Sequence, residues 1–206
     1  MIVKICGFKT IPEAVAAAEA GADMIGLNFY PPSPRCVSLQ AARDICSAMP
    51  MGVCKVGLFV NEQVETILKT AEECGLDAVQ LHGDFPPERV DELAPLKIIR
   101  AVGISADTDL AHLRGARTDY ILLDTAVKGM HGGTGKTFDW TLAAKAKPFG
   151  RILLAGGLTP ANVGEAIRVA APDGVDVAGG VESAVGIKSI PLIRQFIEAA
   201  RAASRG

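Results

Sequence analysis

The groups in this sequence that could do chemistry fall at the ends of apolar runs. Cys6 closes Ile2-Val3-Lys4-Ile5-Cys6, with Gly7 directly after it. Gln80-Leu81-His82-Gly83 closes a second run, and Asp124 a third, after Leu122-Leu123. Two glycine pairs follow later runs, Gly156-Gly157 after Ala155 and Gly179-Gly180 shortly after Asp176. Glycine has no Cβ, so backbone N–H groups there can approach an anion closely. A helix amino terminus just beyond adds unpaired donors and a positive dipole end. Gly156, Gly157, Gly179 and Gly180 are therefore candidates for binding phosphate, although tight turns alone would also use them. Cys6 by itself reads as a small buried hydrophobe. Asp124 by itself reads as a strand-end turn or a helix cap.

Other chemistries find no support. The five cysteines, Cys6, Cys36, Cys46, Cys54 and Cys74, form no CxxC pair and no His/Cys cluster of zinc spacing. No dinucleotide fingerprint is present, so neither a metal nor a cofactor is expected. An odd number of thiols with no apolar leader before them suits a reducing cytoplasm. A net charge of −2 without any basic run argues against nucleic acid, and no apolar run approaches a membrane span. The glycine-rich stretch Gly129–Gly135 fails the nucleotide P-loop spacing and is expected to be a mobile flap over a substrate. Lys136 beside it reads as a solvated lysine.

Positioning these groups requires repeated strand–helix units. Short β-branched runs recur at Ile2–Cys6, Met24–Phe29, Val53–Val60, Ala78–His82, Ile98–Val102, Tyr120–Asp124, Ile152–Ala155 and Gly174–Ala178. Their continuous apolar character predicts strands buried on both faces, as in a parallel sheet. Helices are predicted between them at Pro12–Ala20, Leu39–Ala48, Gln63–Cys74, Pro87–Leu93, Thr108–Arg114, Trp140–Lys145, Pro160–Val169 and Ile190–Ala203. Glu19-Ala20-Gly21-Ala22-Asp23 and Glu73-Cys74-Gly75-Leu76-Asp77 look like one device used twice, a glycine closing a helix and an aspartate entering a strand. Eight regular units in 206 residues fit a closed (β/α)8 barrel of α/β class better than an open doubly wound sheet. The whole of 1–206 is expected to be one catalytic domain. In such barrels, active sites gather at the carboxyl ends of the strands, with phosphate commonly held after strands seven and eight.

Seven ordered blocks resemble the phosphoribosylanthranilate isomerase family of tryptophan biosynthesis. They are Lys4-Ile5-Cys6-Gly7, Ser33-Pro34-Arg35, Gln80-Leu81-His82-Gly83, Leu123-Asp124, Gly132 to Trp140, Leu154-Ala155-Gly156-Gly157-Leu158 with Pro160 and Asn162-Val163, and Asp176-Val177 with Gly180-Val181-Glu182. The resemblance implies a barrel enzyme that converts a phosphorylated aminoaldose into an aminoketose by an Amadori rearrangement. It implies Cys6 as general base, Asp124 as general acid, and Arg35 as partner of the anthranilate carboxylate. Gln80, His82 and Asp176 become candidates for contacts to the sugar. A free thiol titrates near ~8.5 and an aspartate near ~3.9, so both values would have to move. Burial and the substrate are the agents expected to move them. The implied partner is a small phosphorylated aminosugar, with no nucleic acid and no membrane, in a monomer or a homodimer.

The sequence departs from the family in places. Ala178 and Gly179 stand where serines are common, which implies that phosphate is held mainly by main chain. Threonine falls one place late in Gly7-Phe8-Lys9-Thr10, so Thr10 receives no role, and Asn28 has no account beyond rim exposure. The aminoaldose isomerase of histidine biosynthesis catalyses the same rearrangement but relies on paired aspartates at strands one and five. Here strand one ends in Cys6 and strand five carries no aspartate at its end. A non-catalytic phosphate-binding barrel would keep the glycine pairs without needing Cys6 and Asp124 together.

Overall fold

The computed structural model describes residues 1–105, 108, 117–125 and 139–205. The expected helix beyond Thr108 and the Gly129–Gly135 flap with Lys136 lie outside them. Eight strands run in chain order around a closed barrel: β1 (Ile2–Cys6), β2 (Met24–Asn28), β3 (Cys54–Val60), β4 (Ala78–His82), β5 (Lys97–Ile104), β6 (Tyr120–Thr125), β7 (Ile152–Leu154) and β8 (Gly174–Val177). Each pairs in parallel with the next, and β1 closes on β8 with Ile2 opposite Gly174 and Lys4 opposite Asp176.

The lack of polar alternation in these strands has a simple cause. Successive side chains point to opposite faces, and both faces are dry. Val3, Ile5, Ile25, Leu27, Val79 and Leu81 face the helices, in one continuous cluster. Met24, Val56, Ala78, Ile99, Tyr120, Leu122 and Leu153 fill the barrel interior in a second cluster. The interior is thus a packed core whose upper end carries the polar groups.

The helices follow their local signals. They are α1 (Ile11–Glu19), α2 (Leu39–Ser47), α3 (Val64–Cys74), α4 (Thr141–Ala146), α5 (Val163–Ala170) and α6 (Ile190–Ala203). Proline sits in the first turn of α1, the Ser38 hydroxyl accepts from the Ala41 N–H at 3.2 Å to cap α2, and left-handed Gly75 (φ 63°) ends α3. Pro87–Leu93 forms a 3₁₀ stretch rather than the expected α-helix. Its two buried side chains, Val90 and Leu93, lie three residues apart, and side chains three apart align in a 3₁₀ helix. A short antiparallel pair after β8, β9 (Glu182–Ala184) and β10 (Ile187–Lys188), was not predicted, its strands being too short to show a period.

The aspartate device occurs four times. Asp23, Asp77, Asp119 and Asp173, each just before an even-numbered strand, accept from the backbone N–H of Val3, Lys55, Ile98 and Ile152 at 2.7–2.9 Å. Each ties the entry of one strand to the start of its predecessor. All four lie at the barrel face opposite the reactive rim.

One ion pair lies inside the barrel. Lys4 is fully buried, and its ammonium donates to Asp176 Oδ1 at 2.8 Å. Removing one partner of a buried pair strands the other without its counter-charge. Lys4→Met should therefore lower the unfolding free energy by about 3–5 kcal/mol, read from the urea midpoint at constant slope. Adding Asp176→Asn should return part of that loss; a Lys4→Met protein as stable as the parent would show that the pair contributes little.

Candidate active site

Strand alternation decides which groups reach the interior of the rim. Ile2, Lys4 and Cys6 share the inward face of β1, opposite to Val3 and Ile5, and the same rule turns Gln80 and His82, Asp124, and Asp176 inward from β4, β6 and β8. Asp124, Asp176, Gly156, Gly157, Gly179 and Gly180 line one cavity of about 220 Å3 at the carboxyl ends of β6, β7 and β8. Cys6, Arg35, Gln80 and His82 are not among the residues lining that cavity. Cys6 is coupled to its edge electrostatically, through Lys4, Asp176 and Lys188.

The Cys6 thiol is buried and fits tightly. Cys6 stands opposite Gly26 in the β1–β2 register, and a Cβ on Gly26 would come 2.6 Å from the sulfur. Burial pushes the thiol above its ordinary range, the Lys4 ammonium pulls it down, Asp176 pushes it up and Lys188 pulls it down. The net direction is upward. This corrects the expectation that burial would help form a thiolate: in a low-dielectric setting burial favours the neutral form. Lys4 is itself disfavoured by burial, but Asp176 and Cys6 more than compensate, so its ammonium is retained.

Gln80 and His82, two apart on one strand face, contact each other at 2.6 Å between Gln80 Nε2 and His82 Nε2. Gln80 Oε1 is buried with no hydrogen-bond partner in the protein. It is an acceptor waiting on the barrel axis side of β4. Arg35 is engaged within the chain: its Nε and Nη2 donate to the two oxygens of Glu182 at 2.7 and 2.8 Å.

The glycines meet two demands at once. Gly156 (φ 84°) and Gly157 (φ 65°) adopt left-handed backbone, and a Cβ on Gly180 would overlap the Leu158 carbonyl oxygen at 1.8 Å. The loops after β7 and β8 therefore touch through main chain, whatever they bind. Asn162 pins the first of them, accepting from Thr159 N–H at 2.7 Å and donating to the Gly157 carbonyl at 3.0 Å.

Three contributors escaped the sequence reading. Lys4 was visible as a charge inside an apolar strand, two residues before Cys6 and hence on its face. Lys188 had no signal, because it arrives on the unpredicted β10. Asn28 has a structural role: its Nδ2 donates to Ser33 Oγ at 3.1 Å, its Oδ1 accepts from Tyr30 N–H at 2.8 Å, and Ser33 Oγ accepts from Arg35 N–H at 3.2 Å. Asn28 thereby shapes the loop that presents Arg35.

A closed eight-stranded β/α barrel with reactive groups and paired glycines at its upper rim defines the class of phosphate-handling barrel enzymes. Residues 3–199 match the family model described as N-(5'phosphoribosyl)anthranilate (PRA) isomerase. The N-(5'-phosphoribosyl)anthranilate isomerase of Geobacter sulfurreducens is 45% identical over 199 residues, covering 97% of this chain and 98% of that protein. Monomers generated from the dimeric phosphoribosylanthranilate isomerase of Thermotoga maritima superpose with a TM-score of 0.88 at 41% identity, over 98% of this chain and 100% of that one. A phosphoribosyl anthranilate isomerase in complex with reduced 1-(o-carboxyphenylamino)-1-deoxyribulose 5-phosphate gives 0.88 at 40% identity, with the same two coverages. The chain belongs to the N-(5'-phosphoribosyl)anthranilate isomerase family, and is an aldose–ketose isomerase of tryptophan biosynthesis.

Two outcomes follow from the packing around Cys6. Gly26→Ala forces the thiol aside; if the thiol takes part in the chemistry, a displacement near 1 Å should cost roughly 10²-fold in turnover, whereas activity within a few-fold of the parent would show that its position is not critical. Because the folded chain holds the Cys6 proton more tightly than the unfolded one, stability falls as pH climbs above ~8.5 toward the folded value. Peptide-resolved alkylation with iodoacetamide should correspondingly reach half its limiting rate at Cys6 above pH ~8.5 in the ligand-free protein. A plateau already reached by pH ~8 would contradict that direction.

Proposed function

We propose that the chain catalyses the Amadori rearrangement of N-(5-phosphoribosyl)anthranilate at this rim, with Asp124 as general acid and Cys6 as general base. Asp124 donates a proton to the furanose ring oxygen, the C1′–O bond breaks, and the anilino nitrogen supplies the electron pair that forms the Schiff base. Cys6, as thiolate, removes the proton from C2′; the electron pair moves toward the iminium nitrogen and gives an enolamine. Tautomerisation of the enolamine yields 1-(2-carboxyphenylamino)-1-deoxyribulose 5-phosphate. In that last step C1′ takes a proton from the Cys6 thiol and the C2′ hydroxyl gives one to the Asp124 carboxylate, which restores both side chains; electron pairs move only within the substrate, so no external oxidant or reductant is needed.

The observation that carries this reading is the single cavity lined by Asp124, Asp176 and both glycine pairs. A substrate with phosphate between Gly156-Gly157 and Gly179-Gly180 would lay its ribose along Asp176 and Asp124. Asp176, already the acceptor of Lys4, suits hydrogen bonding to a sugar hydroxyl. Gln80 and His82 are assigned to the same sugar from the β4 side, where Gln80 Oε1 offers an unused acceptor. Arg35 is assigned to the anthranilate carboxylate, which a guanidinium can hold through two parallel hydrogen bonds. With Ala178 and Gly179 in place of hydroxyl-bearing residues, phosphate is held mainly by main-chain donors.

The setting is a cytoplasmic enzyme acting on a small phosphorylated substrate, with residues 1–206 as one catalytic domain, in a monomer or a homodimer. Among the described residues, no helix is long and apolar enough to cross a membrane.

The assignment is tested by following anthranilate fluorescence as freshly made N-(5-phosphoribosyl)anthranilate is consumed. Cys6→Ser and Asp124→Asn should each lower kcat by about 10²–10⁴-fold, the usual worth of one acid–base group, with little change in thermal unfolding. A folded variant retaining more than about a tenth of parental kcat would remove that residue from the acid–base pair. Absence of turnover by the folded parent would favour a barrel that only binds.

A further inference from the structure

We propose that Glu182 is a positioning residue, which orients Arg35 toward the substrate carboxylate and is itself held by Lys188; this rests on the assignment of Arg35 given above. A guanidinium has two edges able to take a carboxylate in bidentate fashion, a side edge of Nε and Nη2 and an end edge of Nη1 and Nη2. Glu182 occupies the side edge at 2.7 and 2.8 Å. The plane of the guanidinium is thereby fixed, and the end edge faces away from Glu182.

The surroundings leave the group little freedom. A Cβ on Gly7 would lie 2.8 Å from Arg35 Cδ, and one on Gly179 would lie 3.3 Å from Arg35 Nη2. Arg35 therefore runs through a slot between two glycine backbones, the second of them on the loop proposed to hold phosphate. Glu182 is locked from the other side. Lys188, whose side chain is wholly buried, donates to Glu182 Oε1 at 2.9 Å and to the Ala178 carbonyl at 2.9 Å.

Charge points the same way. Burial pushes the Glu182 carboxyl up, but the hydrogen bond from Arg35 and the charge of Lys188 outweigh it, so the group is held below its ordinary range. Two cations share one anion, Lys188 and Arg35 around Glu182, which leaves one positive charge that a substrate carboxylate would balance. A competing role gives the opposite sign. If Glu182 merely occupied Arg35 until substrate displaced it, removing its charge would tighten binding.

The test compares two substrates, N-(5-phosphoribosyl)anthranilate and the amine made with aniline, which lacks the carboxylate. Glu182→Gln keeps the shape but donates where it formerly accepted. It should raise KM for the anthranilate substrate by about 10-fold or more with kcat within about threefold, the pattern of lost uniform binding. For the aniline substrate kcat/KM should stay within about twofold. Lys188→Met, which frees Glu182 without removing it, should show the same selectivity to a smaller degree and serves if Glu182→Gln does not fold. Equal losses on both substrates from Glu182→Gln or Lys188→Met, or a lower KM on the anthranilate substrate, would overturn the proposal. Arg35→Met separates the two readings. If it penalises both substrates equally, the assignment of Arg35 to the carboxylate fails; if it penalises only the anthranilate substrate while the Glu182 variant does not discriminate, the positioning role alone fails.

Discussion

Placing an ammonium group inside a hydrocarbon-filled barrel is unfavourable unless its charge is answered at once. Lys4 is answered by Asp176, directly opposite it across the seam where the first and last strands meet. That pair sets much of the rest. Its geometry requires β8 to close on β1 in one register, since a slip of one residue would turn Asp176 outward. Its positive member lies two residues from Cys6 on the same strand face, and its negative member lines the cavity at the rim. Closure of the fold and electrostatics of the site thus meet at a single contact.

The strands divide labour along their length and between their faces. Toward the helices they carry mainly hydrocarbon, which gives cohesion, with Lys55 and Arg100 as charged exceptions that bond to Asp77 and to the Gly83 and Phe85 carbonyls. Inward, the lower positions are filled by residues such as Val56, Ala78 and Leu122, while the upper ones are Cys6, His82 and Asp124. Packing below holds the backbone rigid, so that a polar side chain above has a fixed origin. The loops add a finer adjustment, with Asn28 and Ser33 shaping the approach of Arg35 and Asn162 pinning the glycines after β7.

Much of this was legible in the sequence, for identifiable reasons. Strands buried on both faces leave predominantly apolar runs, so β1 and β4 fell on their expected residues despite Lys4, Gln80 and His82 within them, and α6 did so because Ser189, Pro191 and a long amphipathic stretch mark it. Pro87–Leu93 was misread as an α-helix because a heptapeptide with two buried positions does not distinguish a 3.6 from a 3.0 period. At the site, residues at strand ends could be nominated from position alone, whereas their partners could not. Arg35 and Glu182 are 147 residues apart, and Lys4 and Asp176 are 172 apart. Such pairings are made by topology, and the direction of the Cys6 shift depends on them and on a degree of burial that only folding creates.

The aspartates beneath the barrel carry a meaning for its construction. Each sets the backbone of one odd and one even strand, and the carbonyl of three of them receives the next strand in turn: Cys54 N–H on Asp23 at 2.9 Å, Lys97 N–H on Asp77 at 3.1 Å, and Ile2 N–H on Asp173 at 3.0 Å. The last of these spans the seam between the two ends of the polypeptide, yet it is the same joint used within the chain. Arg201 ties the last helix to the neighbouring β1–β2 joint, donating to Asp23 at 2.7 Å and to the Gly21 carbonyl at 3.0 Å. The ring accordingly has no privileged first strand. Its architecture is cyclic in a sense that the linear order of residues conceals, and the place where the polypeptide happens to be open is one joint among equivalent ones.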